Sequence, residues 1–388
     1  MTPGGNDEIY LDNAATTRPW PEVVEAVRSA MGEGFGNASS PHRRGLAAAR
    51  LVRRAVDEIR AAVGGGDWNV VFTSGGSEAD GFALLGSAPR GKRDAVVYSG
   101  VEHAAVEETA AHLAVTGCRA VRVAAGYGGV VDPGELAAAA DERTAVVALT
   151  HVANELGTVQ PVAEAARQVA AASPRALFHV DAVQALAQLE RLDYPREVGS
   201  VALSAHKIHG PQGIGALLLR PTVRPRPLLL GGGQQDGLRS GTLNVPGIAG
   251  FGVAASLLTA RRAEGVRRMR ALADELAGCL VSAATGVRLL GDPAARAPGI
   301  LVIAVGSVES EVLLHALVER GVLASAGAAC HSTRKDPPRS VVEAGLGRDE
   351  GVLRLSLSFD TTGDEIQRAA AAFTAALASL RRPATGRG

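Results

Sequence analysis

Short β-rich runs alternate with alanine-rich helical segments through the first 220 residues of the chain. These runs read VVFTS, AVVYS, AVVALT, ALFHV, SVALS and GALLLR. Such an alternation predicts βαβ units and a mostly parallel sheet, and therefore the α/β class. Ligands of open α/β sheets bind outside the carboxyl ends of the strands. The pattern therefore indicates where a site lies before any single residue is considered.

Five of the six runs lead directly into polar or reactive residues. In chain order the following stretches read GGSEAD, GVEHA, HVANELG, DAVQA and AHKIHG. Because the carboxyl ends of parallel strands share one edge of the sheet, we expect these five stretches to form one site.

The length and composition predict two domains. The chain has 388 residues, of which 46% are hydrophobic and 21% charged, a balance typical of soluble globular proteins. We expect a large domain over residues 16–254. A smaller α+β domain is expected to combine residues 1–15 with residues 255–388, where a helix-like segment precedes further short strand candidates.

Charge and cysteine content exclude several classes of protein. The net charge of +0 gives no indication of a nucleic acid or a membrane surface as a direct partner. No apolar segment near the N-terminus fits a signal peptide, so we expect a cytoplasmic protein. The three cysteines, Cys118, Cys279 and Cys330, lie far apart and form no disulfide or metal-binding pattern, so no metal is expected.

Lysine is rare in this chain, and one lysine stands in an unusual place. Lys+Arg is 40, and only Lys92, Lys207 and Lys335 are lysines, so 40 − 3 = 37 are arginines. Lys92 and Lys335 lie in polar turns, whereas Lys207 follows the apolar run VALSAH and precedes glycines. An ε-amine can lose its proton when buried and can form a Schiff base, which a guanidinium cannot do.

A Schiff-base lysine suggests pyridoxal 5′-phosphate, which needs an acid beside its ring nitrogen. Asp181 closes an apolar strand in HVDAVQA, where an unpaired carboxylate would be costly. Taken alone, Asp181 is better explained as a helix N-cap. Together with Lys207 in the same chain, it is better explained as the partner of the ring nitrogen.

The stretch TSGGSEAD offers a site for the cofactor phosphate. Gly75 and Gly76 allow close approach, Ser77 supplies a hydroxyl, and a helix follows. An ordinary capped helix is the alternative. His103 is a candidate to stack on the ring, although a single histidine is more often structural. Asn154 and Gln184 could contact the ring hydroxyl, but neither is specific by itself.

Several longer motifs occur together and in a fixed order. They are YLDNAATT, FTSGGSEAD, EHAAV, HVANELGTVQP, HVDAVQA, SAHKIHGPQGIGAL, GGGQQDGLRSGT and ASAGAACHS. Over about residues 8–365 the chain thereby resembles the cysteine desulfurase and selenocysteine lyase family. These enzymes use pyridoxal 5′-phosphate and have the class-V aminotransferase fold. The resemblance implies fold type I, with a large cofactor domain and a small α+β domain.

The resemblance also implies roles for individual residues. Lys207 would hold the cofactor, and His103 would stack on the ring and move protons. The cofactor would be bound by Gly76, Ser77, His103, Asn154, Asp181, Gln184, Ser204, His206, Lys207 and Thr242. Thr242 would reach the phosphate of a neighbouring subunit, which implies a homodimer. The substrate would contact Asn13, Asn154 and Arg354. Without the resemblance, Arg354 would be interpreted as a surface arginine.

Cys330 is the expected sulfur acceptor, in a stretch of about residues 324–340 that is rich in small and polar residues. The implied enzyme removes sulfur from L-cysteine, gives L-alanine and leaves a persulfide on Cys330 for an unidentified acceptor protein. A selenocysteine lyase acting on L-selenocysteine is the alternative. A non-catalytic scaffold and another class-V reaction are disfavoured by Lys207, Asp181 and Cys330.

The chain departs from the family pattern in a few places. Ser77 stands where threonine is common, Gly81 where asparagine is common, and His209 where tyrosine is frequent. The run SLSFDTT also replaces a SLGRFTT-like sequence. These departures leave the substrate preference and the choice of partner open.

Overall fold

The computed structural model describes residues 8–89, 91–326 and 337–381. In chain order, its strands are β1 Ile9–Tyr10, β2 Asn69–Thr73, β3 Ala95–Ser99, β4 Arg119–Val123, β5 Thr144–Thr150, β6 Leu177–Asp181, β7 Val198–Ser204, β8 Gly215–Leu219, β9 Val287–Leu289, β10 Ile300–Gly306, β11 Val322–Leu323 and β12 Glu350–Ser356. Its helices are α1 Pro21–Met31, α2 Arg43–Ala62, α3 Gly76–Ser87, α4 Ala104–Val115, α5 Pro133–Ala139, α6 Val162–Ala172, α7 Ala185–Gln188, α8 Val245–Ala283, α9 Ser310–Val318, α10 Arg339–Glu343 and α11 Gly363–Leu380.

A seven-stranded sheet forms the centre of the molecule, with the strand order β2-β8-β7-β6-β5-β3-β4. The pairs from β7 to β4 are parallel, whereas β8 is antiparallel to both of its neighbours. This mostly parallel mixed sheet confirms the predicted α/β class. All strands except β8 therefore end at one edge, where the five predicted stretches meet.

The inner strands explain the apolar runs of the sequence. All seven residues of β5 and all seven of β7 are buried, because helices cover both faces of a parallel sheet. The edge strand β4 was missing from the prediction. Its sequence, RAVRV, places Arg119 and Arg122 in a short edge strand, where charged side chains can reach water.

The helix α8 connects two hydrophobic cores. Near its N-terminus it packs closely on α2, since a side chain at Gly252 would put a Cβ 2.7 Å from the Ala55 Cα. Farther along, Ala273, Leu276 and Leu280 belong to the second core. The predicted domain boundary at 254/255 lies inside this 39-residue helix, so one helix belongs to both units.

The second core lies under a smaller set of strands. The strands β12, β10 and β9 form an antiparallel sheet, and β1 pairs in parallel with β11. Ile9 and Leu11, from the start of the described chain, are buried in this core. None of the described helices combines the length and the apolar character needed to cross a lipid bilayer.

Candidate active site

A cavity of about 300 Å³ lies at the carboxyl edge of the large sheet. The lining residues that the sequence predicted are Gly76, Ser77, His103, Asn154, Asp181, Gln184, Ser204, His206, Lys207 and Arg354. The fold therefore brings five separate stretches and one residue of β12 into the same space. The further lining residues, which the sequence did not predict, are Ala14, Ala15, Asp80, Thr150, Val152 and Val183.

Lys207 enters the cavity from a single 3₁₀ turn, Ala205–Lys207, that directly follows β7. Its Nζ donates hydrogen bonds to the Ala14 oxygen at 2.6 Å and to the Ala15 oxygen at 2.7 Å. These two carbonyls, which come from the N-terminal segment, fix the position of the amine. Sequence reasoning missed them because a backbone carbonyl carries no residue-specific signal.

Asp181 is the last residue of β6 and is 5% exposed. Burial raises its pKa, whereas the nearby positive groups of His103 and Lys207 act in the opposite direction. Its Oδ1 accepts the Val183 N–H at 2.9 Å. The helix α7 begins only at Ala185, so Asp181 closes a local turn and does not cap that helix.

Beneath Asp181 lies a buried layer of groups whose environment favours their uncharged forms. The His179 Nε2 is 3.1 Å from the Asp80 Oδ1, and the His179 Nδ1 is 2.8 Å from the Ser200 Oγ. Burial lowers the pKa of His179 to about 3 and raises the pKa of Asp80 well above its ordinary value. Burial also raises the pKa of Glu102 to about 8. Asp181 is thus the carboxyl group of this set that has positive groups beside it.

The opposite wall of the cavity is suited to a phosphate group. Here α3 begins at Gly76, and no side chain caps its first turn, so the first N–H groups lack helical partners. A Cβ at Gly76 would lie 2.7 Å from the Val183 Cγ2, which explains the glycine. Among the described residues, the buried Ser204 Oγ has no hydrogen-bond partner. Burial, helped by the adjacent lysine, lowers the pKa of His206 to about 4.

Arg354 reaches the cavity from β12 and is 2% exposed, which excludes the surface interpretation. Its Nη1 donates to the Asn154 oxygen at 2.8 Å, and its Nη2 donates to the Asp12 Oδ1 at 3.0 Å. The buried Nε has no partner among the described residues. Asp12 was not predicted, although it lies in the quoted motif YLDNAATT.

Three further side chains line the space between these walls. The Ala105 N–H donates to the His103 Nδ1 at 3.1 Å, so a neutral His103 ring carries its proton on Nε2. The Gln184 Nε2 donates to the Ala14 oxygen at 2.8 Å. Asn154 lies at the end of the cavity where its backbone oxygen meets Arg354.

Three predicted residues are not among those that line the cavity. The Asn13 amide donates to the Tyr10 and Ser356 oxygens, at 3.1 and 2.9 Å, and so ties the N-terminal segment to β12. Thr242 is exposed. Cys330 lies outside the described residues. Across the described ranges, no three His, Cys, Asp or Glu side chains come together in a metal-ligand arrangement.

The geometry combines an amine, a buried acid, an anion pocket and a buried guanidinium within one cavity. Such a set suits a phosphate-bearing aldehyde cofactor together with an amino acid. The orphaned Ser204 hydroxyl and the uncapped start of α3 are the observations that fit the phosphate.

Comparison with known proteins gives a consistent result. Residues 9–369 match the class-V aminotransferase family. A cysteine desulfurase of Rhodobacter capsulatus is 39% identical over 378 residues, which cover 96% of this chain and 97% of that protein. A cysteine desulfurase of Cereibacter sphaeroides is 40% identical over 369 residues, 93% of this chain and 94% of the other.

Solved structures show the same likeness. A NifS-like protein superposes with a TM-score of 0.87 at 30% identity, covering 96% of this chain and all (100%) of the other. DndA from Streptomyces lividans gives a TM-score of 0.74 at 33% identity, covering 90% of this chain and 99% of the other. SspA in complex with cysteine gives 0.77 at 26% identity, covering 91% and 99%.

Proposed function

The chain belongs to the class-V aminotransferase family and is a cysteine desulfurase that depends on pyridoxal 5′-phosphate, and from this premise we propose how its own residues divide the reaction. The observation that carries the proposal is the Lys207 amine, held by two carbonyls in the cavity that Asp181 also lines. The comparisons do not favour the selenocysteine lyase alternative.

Both walls of the cavity take part in holding the cofactor. The phosphate lies at the start of α3, against Gly76 and Ser77, and takes hydrogen bonds from Ser204 and His206. Asp181 pairs with the ring nitrogen, and His103 stacks on the ring. When bound, the cofactor supplies an electron sink that weakens the Cα–H bond of an amino acid.

The substrate carboxylate lies between Arg354 and Asn154. The buried Nε of Arg354, which has no partner among the described residues, supports this assignment. Charge-assisted bonds of this kind are roughly twice as strong as neutral ones. Asn13 acts on the substrate through the N-terminal segment, whose Ala14 oxygen also receives Lys207 and Gln184.

Proton transfer depends on Lys207 and His103. Once the substrate amine has replaced it, the Lys207 Nζ takes the Cα proton, and the two nearby carbonyls keep that amine at the cavity wall. His103 holds or passes a proton at its Nε2, because its Nδ1 is occupied by the Ala105 N–H.

Cys330 receives the sulfur. Its thiolate attacks the substrate sulfur, an S–S bond forms on Cys330 as the C–S bond breaks, and the released carbon takes a proton to give alanine. A free thiol has a pKa of about 8.5, so a base must remove its proton at neutral pH. His103 and the substrate amine are the two candidate bases.

The surroundings of the enzyme are part of the same proposal. Thr242 reaches the phosphate of a second subunit in a homodimer, which is supported by its exposure. The Cys330 persulfide passes to a separate acceptor protein, and the reaction takes place in the cytoplasm.

The test compares the wild type with Lys207→Ala after incubation with the cofactor. The wild type should be yellow, should form a borohydride-reducible adduct at Lys207 and should release alanine from L-cysteine. The variant should lose the adduct and lose activity by a factor on the order of 10² to 10⁴. An adduct on Lys92, or full turnover by Lys207→Ala, would contradict the proposal.

A further inference from the structure

The Cys330 stretch is attached to the cavity wall on both sides. Before it, Ser325 and Arg354 exchange two backbone hydrogen bonds, at 3.1 and 2.7 Å. After it, the Ser340 hydroxyl donates to the Glu155 carboxylate. Glu155 adjoins Asn154, whose oxygen accepts from Arg354. Both attachments therefore converge on the end of the cavity where the substrate carboxylate is expected.

A second link fixes α10, the helix that follows the Cys330 stretch. Glu343 accepts two hydrogen bonds from Arg122, at 3.0 and 2.9 Å, and one from Arg339 at 2.8 Å. The Arg122 Nη2 also donates to the Gly100 oxygen at 2.9 Å. Arg122 thus joins α10 to the backbone three residues before His103.

This link is built into the fold. The side chains of Arg122 and Glu343 are only 14% and 22% exposed, so water screens their attraction less than at the surface. A Cβ at Gly100 would lie 2.7 Å from the Arg122 Nη2. Only glycine leaves room for the guanidinium against this turn.

We propose that Arg122, Glu343, Ser340 and Glu155, here named the α10 anchor, position Cys330 for sulfur transfer without taking part in the chemistry at the sheet edge. This inference rests on the proposed role of Cys330. Five residues separate Ser325 from Cys330, a span of at most about 18 Å. A chain held this tightly on one side can be aimed only if its other end is also held.

The core packing of α10 makes the test practicable. Val341 and Ala344 are buried in the main hydrophobic core, so α10 keeps its apolar contacts when one polar group is removed. Positioning and folding can therefore be separated by substitution.

The experiment compares Arg122→Gln and Ser340→Ala with Arg119→Gln. Arg119 lies on the same strand and pairs with Asp141, but both of these side chains are largely exposed, at 42% and 45%, and Arg119 does not touch α10. Two rates are measured with L-cysteine: alanine release, and exchange of the Cα proton for deuterium from heavy water. The second rate reports proton removal before sulfur moves.

The first two variants should lower alanine release by about ten- to a hundredfold, since small misplacements of reacting groups cost this much. Their Cα exchange and cofactor absorbance should stay within about twofold of the wild type. Arg119→Gln should change neither rate. An equal fall in both rates, or no fall in alanine release, would overturn the anchor. Full cysteine turnover by Cys330→Ala would instead refute the proposed role of Cys330.

Discussion

The two ends of the cavity are held in place in opposite ways. At the sheet edge the backbone positions the side chains, because Asp181 ends a buried strand and Lys207 lies in the turn that follows another. At the α10 end, side chains position the backbone. The Arg122–Glu343 and Ser340–Glu155 pairs join residues 221 and 185 positions apart in the sequence.

This difference teaches which changes should affect chemistry and which should affect placement. A substitution at the sheet edge removes a reacting group and leaves the strands intact. A substitution in the α10 anchor leaves every reacting group present but loosens the segment that carries the sulfur acceptor. The two ends should therefore be separable by kinetics.

Arg354 belongs to both ends and sharpens the comparison most strongly. Arg354→Ala should raise the KM for L-cysteine by about 30-fold, or about 2 kcal/mol, through loss of a charge-assisted pair. Arg354→Lys should fall between the two, because it keeps the charge but loses the fork geometry. Steady-state kinetics with L-cysteine measures both effects.

Cofactor absorbance is the control for Arg354, because this residue is not expected to touch the cofactor. An unchanged KM in Arg354→Ala would separate Arg354 from substrate binding. Its contact with Asp12 would then be purely structural.

A smaller effect concerns the buried layer under the sheet edge. Burial raises the pKa of Glu102 from 4.5 to about 8, so the folded protein holds a proton that the unfolded chain releases. The free energy of unfolding should therefore fall as pH rises from 6.5 to 8, by at most about 1.4 kcal/mol per pH unit. Above pH 6.5 the buried histidines, with their lowered pKa values, no longer oppose this trend.

Glu102→Gln should make this decline shallower, as measured by urea unfolding at several pH values. Asp80 acts with the same sign, so part of the decline should remain. The amide can still accept the hydrogen bonds from Ser99 and Thr150. Identical slopes in the variant and the wild type would show that Glu102 is not kept protonated by the fold.

The sequence predicted the sheet edge well, because each site residue there follows a strand that is visible as an apolar run. It also predicted the last helix, Gly363–Leu380, whose Thr362 and Glu365 form a capping box. The α10 anchor could not be predicted in this way. Neither Arg122 nor Glu343 lies in a motif, and only the folded chain brings them together.

Two departures from the family pattern also became clear only in three dimensions. His209 stacks on Trp20 with a centroid distance of 4.3 Å and an interplanar angle of 6°. Phe359, from SLSFDTT, meets both rings edge-on. The unusual residues at 209 and 359 are neighbours, so they are best understood as one packing solution beside the Lys207 turn.

The most direct test of the division between the two ends compares L-cysteine with L-selenocysteine in Cys330→Ala. A carbon–selenium bond is weaker than a carbon–sulfur bond, so selenium can leave without a thiol to receive it. We expect the variant to lose nearly all alanine release from L-cysteine and to keep part of its activity on L-selenocysteine. The matched variant Cys118→Ala should keep both activities. Cysteine turnover that survives in Cys330→Ala, or an equal loss on both substrates, would contradict the account.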